Sequence, residues 1–271
     1  MRSSRLSFTD SDLLFLVKIL IPETEDAQRM IRVLREDEEI LEGMLADEKV
    51  LHHLLDDPLS MLRVSPALFF SVLMARVKLD LERQPYTLER SNRLSMALFD
   101  SPQVVALLEN KDIRAYLTDM LVSFVRINSF STTVRVRTGV WRRIRFCDFD
   151  IDSLLRYSSA IDESRRFSAY KRIADICLFT LGIFSPEEVA AGGALPFLRD
   201  GMRMALRRSR EDYIAQGTIF YTLASRHREA AARQVSDILS LLAEKIALAA
   251  KPLHVMSARY LTPFKDKVFL Q

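Results

Sequence analysis

Glycine and proline are scarce in this chain, seven and nine among 271 residues. Tight turns are built largely from those two residues, so the shortage argues against a sheet-rich enzyme. Only two cysteines occur, Cys147 and Cys177, with no CxxC spacing and no metal quartet; free thiols in a reducing compartment are expected. The four histidines, His52, His53, His227 and His254, form no HExxH and no paired ExxH. GxSxG, the P-loop and GxGxxG are absent too, and no cofactor is expected. Nowhere do eighteen apolar residues run together, so no membrane span is predicted. The apolar run after Met1 is preceded by Asp10 and Asp12, interrupted by Lys18 and followed by no small-residue cleavage site. A cytoplasmic protein without membrane contact is the expectation.

What the chain has in quantity is Leu, Ala, Arg, Glu and Met, all good helix formers. The composition predicts an all-α fold, a multi-helix bundle of about ten or more helices, with one short β-hairpin near residues 132–146. Ser-Pro pairs at Ser65-Pro66, Ser101-Pro102 and Ser185-Pro186 read as N-caps followed by first-turn prolines. Between Asp112 and Arg126 the residues Ile113, Tyr116, Leu117, Met120, Leu121, Phe124 and Val125 recur at helical spacing. A second helix is expected from an Asp162 cap through Phe167 and Leu181 to a stop near Gly182, and a third, uninterrupted, from His227 to Ala250. "DEEILEGML" and "DEKVLHHLL" form a near-repeat of two short Asp-capped helices. The expected organisation is an acidic N-terminal subdomain over 1–62 and a main bundle over 63–271, with the hairpin inserted at 128–146, in one continuous domain.

Charge is unevenly spread. From Pro22 to Pro58 twelve acids face four bases, and from Arg126 to Arg172 eleven bases face five acids. Such asymmetry suits electrostatic steering or self-association. Its densest basic stretch is "TVRVRTGVWRRIRF" (Thr133–Phe146), with five arginines and the only tryptophan. Valines alternate with arginines there, the pattern of a half-buried strand. A two-residue Thr138-Gly139 turn would set Arg135 against Arg142 and force a β-branched residue to positive φ. A three-residue loop, Arg137-Thr138-Gly139 with Gly139 left-handed, instead sets Arg135 against Trp141. It then collects Arg135, Trp141, Arg143 and Arg145 on one face. Val134, Val136, Val140, Ile144 and Phe146 take the other face, with Arg142 among them. The arginine face suits an acidic partner surface, in this chain or another, or a single-stranded nucleic acid.

Two other constellations bear on chemistry. Glu48, His52 and Asp56 lie at i, i+4 and i+8 on one helical face, a candidate divalent-metal site. Tyr213, Gly217 and Tyr221 lie along one helix as a candidate ligand pocket, with Gly217 suited to a close helix crossing.

The stretches "RVSPALFFSVLMARVKLDLERQPYTLE" (Arg63–Glu89), "YKRIADICLFTLGIFSPE" (Tyr170–Glu187) and "DYIAQGTIFYTLA" (Asp212–Ala224) resemble a family of uncharacterised bacterial helical proteins. The resemblance implies a bacterial, cytosolic, mostly helical protein and no particular reaction. The expected function is therefore non-enzymatic: a binding, scaffold or regulatory protein with a protein partner or self-association. A nucleic-acid binder using Arg135, Trp141, Arg143 and Arg145 is the alternative, and an enzyme or small-ligand binder the third.

Overall fold

The computed structural model describes residues 8–56, 63–84, 87–91, 94–98, 100–126, 129–137, 140–185, 208–263 and 268–269. The fold is all-α, with thirteen α-helices and two two-stranded ladders among those residues. The chain divides into two compact units, Met1–Leu88 with Ala97–Ser123, and Glu89–Met96 with Phe124–Gln271. The subdomain boundary expected after residue 62 falls at residues outside the described ones, and the units divide elsewhere. The helices between Val64 and Ser123 pack with the N-terminal ones.

In the first unit, α1 (Asp10–Leu20), α2 (Ala27–Glu36), α3 (Glu38–Ala46) and α4 (Glu48–Asp56) are short and amphipathic. Asp37 and Asp47 accept backbone hydrogen bonds at the starts of α3 and α4, as the near-repeat leads one to expect. None of these helices can bury its apolar stripe alone. They gather with α6 (Ser101–Glu109) and α7 (Lys111–Ser123) around α5 (Pro66–Arg83). From Leu68 to Met74 every residue of α5 is buried, so it needs neighbours on all sides. Ser65 caps it through the Leu68 amide, at 3.1 Å, and Pro66 opens the first turn. At Ser101-Pro102 the cap position falls one residue earlier, on Asp100, and Ser101 is buried inside the helix. In α7 the stripe Ile113, Tyr116, Leu117, Met120 and Leu121 is buried as its spacing requires.

Asp12 ties this unit together. It is only 1% exposed, and its carboxylate accepts from the Thr9 amide and hydroxyl at the start of α1 and from the Ser65 amide at the start of α5. One buried charge thus satisfies orphan donors of two helix ends.

The second unit is built on α9 (Phe167–Ile183), buried without a break from Ile173 to Ile183. Around it lie α8 (Ile151–Ala160), α10 (Arg210–Ser225), α12 (Ser236–Glu244), which packs on α10, and α13 (Ile246–Met256). Asp162 precedes a 3-10 turn, Glu163–Arg165, and α9 starts only at Phe167. α9 ends at Ile183, beside Gly182 as expected, and Gly182 also has a packing role. A Cβ there would sit 2.4 Å from Leu253 Cβ, so Gly182 lets α13 approach closely. At the end of α9, the buried Ser257 hydroxyl donates to the Ile183 carbonyl at 2.7 Å.

The uninterrupted helix expected over His227–Ala250 is three helices: α11 (Arg228–Ala232), α12 and α13. The first break is a Schellman-type closure. Gln234 adopts φ 59°, its amide bonds to Ala231 and the Val235 amide bonds to Ala230. Glutamine rarely takes that conformation, so the sequence carries no glycine to announce the break. The second break lies at Lys245, whose φ of -119° lies outside the helical range.

The expected hairpin exists as β3 (Ser129–Arg137) paired with β4 (Val140–Cys147). A second ladder, β1 (Thr87–Ser91) with β2 (Leu94–Leu98), was not expected. Its β2 segment, LSMAL, is made mostly of helix formers, and pairing overrides that propensity.

Candidate functional site

The β3–β4 hairpin is held at its root by the core of the second unit. Phe124, just before β3, and Phe149, just after β4, meet edge to face at 5.6 Å between ring centroids. Both contact Phe179 of α9, at 4.2 and 5.8 Å. Phe146 is buried and packs on Tyr157 of α8, while the Cys147 amide donates to the Ser153 hydroxyl at 3.2 Å. Arg172 of α9 completes the clamp. Its guanidinium lies 3.9 Å over the Phe124 ring, donates through Nε to the Asp148 carbonyl at 2.8 Å, and reaches the Asp148 carboxylate at 3.3 Å. Burial lowers the Arg172 pKa, opposed by the negative charges of Asp148 and Asp175.

Along the ladder the register pairs Ser129 with Cys147, Ser131 with Arg145, Thr133 with Arg143 and Arg135 with Trp141. The alternate pairs are Phe130 with Phe146, Thr132 with Ile144 and Val134 with Arg142. Successive positions alternate between the two faces of a strand, so the register positions of Arg135, Trp141, Arg143 and Arg145 fall on the face of Ser131, which is exposed. The buried Phe146 marks the other face, which also carries Arg142. The expected opposition of Arg135 and Trp141 is thus present in the backbone pairing. The loop differs from expectation: Arg137 pairs with Val140, and the extra residue is absorbed as an irregularity between Arg135 and Arg137. Thr138 and Gly139, including the left-handed conformation expected of Gly139, lie outside the described residues.

Behind the clamp sits a polar group inside the helical core. Asp175 is 2% exposed; it accepts from the Tyr221 hydroxyl at 2.9 Å and from Lys171 Nζ at 2.7 Å. The Lys171–Asp175 spacing of four was readable on one helix, whereas Asp148–Arg172 and Tyr221–Asp175 join distant positions and had no sequence signal. Tyr213 and Tyr221 are both buried on α10. At Gly217 a Cβ would meet Ile246 Cδ1 at 2.2 Å and Cys177 Cβ at 3.0 Å, so the side chains of neighbouring helices stand against this glycine. Burial pushes the Cys177 thiol and the Tyr213 phenol up to about 12 each. Neither supplies an anionic nucleophile at neutral pH. The Tyr221–Asp175 contact joins α10 to α9, and Lys171 meets the same carboxylate from within α9.

In the first unit, His52 sits 3.7 Å from Glu48 and 3.6 Å from Asp56 on a face where all three side chains are more than half exposed. Glu48 also pairs with Arg76. Among the described residues no group of three His, Cys, Asp or Glu side chains could hold a metal ion. The triad is therefore corrected to an exposed i, i+4 charge ladder. Much of the acidic segment has local work as well. Asp26 and Asp37 cap helices, and Glu38 and Glu42 pair with Lys111 and Arg114 of α7.

No helix among the described residues is long and apolar enough to cross a membrane. No protein-family model, no curated protein and no solved structure matches this chain.

Proposed function

We propose that this protein works by binding rather than by catalysis, and that its contact element is the face of the β3–β4 hairpin carrying Arg135, Trp141, Arg143 and Arg145. The register that gathers these four positions opposite the buried Phe146 is the observation that carries the reading. The clamp at the hairpin root supports it, because a contact element gains affinity when its base is already rigid. Self-association through the acidic segment is the weaker form of this reading. Its carboxylates at Asp26, Asp37, Glu38 and Glu42 already serve helix caps and ion pairs within their own unit.

Retention on a heparin column tests the proposal. The triple variant Arg135→Glu, Arg143→Glu, Arg145→Glu is expected to elute at much lower salt than the parent while keeping its thermal melt. Equal retention of the two proteins would remove the hairpin as the contact element.

A further inference from the structure

Resting on that reading of the hairpin, we infer that its partner is a single-stranded nucleic acid, bound where the register sets Trp141 against Arg135 and lines Arg143 and Arg145 beside the hydroxyl residues Thr133 and Ser131. Three placements carry the inference. The first is the mixed chemistry of one face. On β3 the positions are Ser129, Ser131, Thr133 and Arg135, and on β4 they are Trp141, Arg143, Arg145 and, at the root, Cys147. Phosphate oxygens are taken by arginine and by serine or threonine hydroxyls together, which is the composition of this face.

The second placement is the tryptophan. The carboxylates of an acidic protein surface pair with the arginines and give the ring no π partner. A base offers a flat π surface, and stacking on an aromatic ring is how single strands are held without sequence preference. The single tryptophan of the chain occupies the ladder position nearest the turn on this face.

The third is spacing. Same-face positions on one strand recur about every 6.8 Å, on the scale of one nucleotide of an extended strand. Arg143 and Arg145 can thus serve successive phosphates while the ring position one step on serves a base. A paired duplex keeps its bases stacked inside and offers the ring no such face.

Since Trp141 is the only tryptophan, its emission reports on this face alone. Short oligo-dT and oligo-U are each expected to quench it saturably, and the two arms separate DNA from RNA. With three phosphates neutralised, affinity should fall roughly 20-fold between about 50 and 200 mM salt. Anisotropy of labelled oligonucleotide should show Trp141→Ala weakening binding about tenfold or more, with Trp141→Phe retaining most of it and heparin retention kept by both. Binding unchanged by Trp141→Ala, or tighter binding to duplex than to single strand, would overturn the inference. So would hairpin-dependent heparin retention without any oligonucleotide binding, which would leave an acidic protein surface as the partner. Heparin retention indifferent to the triple arginine variant would instead overturn the underlying reading.

Discussion

The two units solve the same problem with different chemistry. Each places one helix buried on all sides at its centre, α5 in the first and α9 in the second, and wraps it in shorter amphipathic helices. In the first unit, polar work is done at helix ends: Asp12, Asp37 and Asp47 cap short helices, and most ion pairs lie on the surface. In the second, charge enters the core itself through Arg172, Asp148 and the Lys171–Asp175–Tyr221 group. The caps at Asp37 and Asp47 are local, and among these three only Asp12 reaches far along the chain, to the Ser65 amide. A core network joins elements far apart in sequence, and it lies next to the root of the hairpin that carries the proposed function. The second unit gathers its long-range buried polar contacts beside the hairpin, whereas the first carries such a link at Asp12 and otherwise relies on short-range caps and surface pairs.

Five substitutions, one of them read through an alkaline titration, test that contrast. The largest effect is expected from Arg172→Met, which strips the clamp and leaves the Asp148 carboxylate without its guanidinium. Loss of one partner of a largely buried pair costs about 3 kcal/mol or more, read by urea unfolding; a loss below about 1 kcal/mol would show the clamp to be incidental. Next is Gly182→Ala, whose added carbon would lie 2.4 Å from Leu253 Cβ and 3.2 Å from the Ala250 carbonyl. Overpacking of this kind destabilises by roughly 1–3 kcal/mol. In the first unit, Gly43→Ala meets nothing within 4 Å in mid-helix α3 and should stabilise by about 0.5–1 kcal/mol. Opposite signs for the two glycines would sharpen the comparison; equal signs would break it.

Alkali should loosen the second unit through Cys177 and Tyr213. Their folded values are raised to about 12 from 9.0 and 10.0. The stability they contribute is complete below pH 9 and is lost as pH rises from there toward 12, because only the unfolded chain releases those protons. Cys177→Ala should flatten that slope in melts taken across the range, and an unaltered slope would count against burial of the thiol. The smallest effect belongs to His52→Ala. Exposed i, i+4 pairs are worth about 0.5 kcal/mol or less, so the melt should barely move, and bound metal measured by atomic emission should be the same with and without the histidine.

Much of the architecture was legible because it is local. Helical class followed from composition, α7 from its spacing of Ile113 to Leu121, α3 and α4 from their Asp caps, and the opposition of Arg135 and Trp141 from like-charge avoidance. The misses share one cause. Gly217 makes the close crossing expected of it, but the close approach at Gly182 had no signal until α13 was in place. The break at Gln234 used a residue that seldom takes positive φ. The β1–β2 ladder overrode helix propensity.

The candidate site divides along the same line. The alternation that sets Arg135 against Trp141 was readable in the sequence, whereas the pairing of Arg137 with Val140 and the irregularity beside it were not. What holds that hairpin was decided only by tertiary structure. Arg172 lies 24 positions from Asp148, and Tyr221 lies 46 from Asp175, and no short-range pattern selects such partners. They are chosen when helices bury their apolar faces and every charge carried inside has to find a partner.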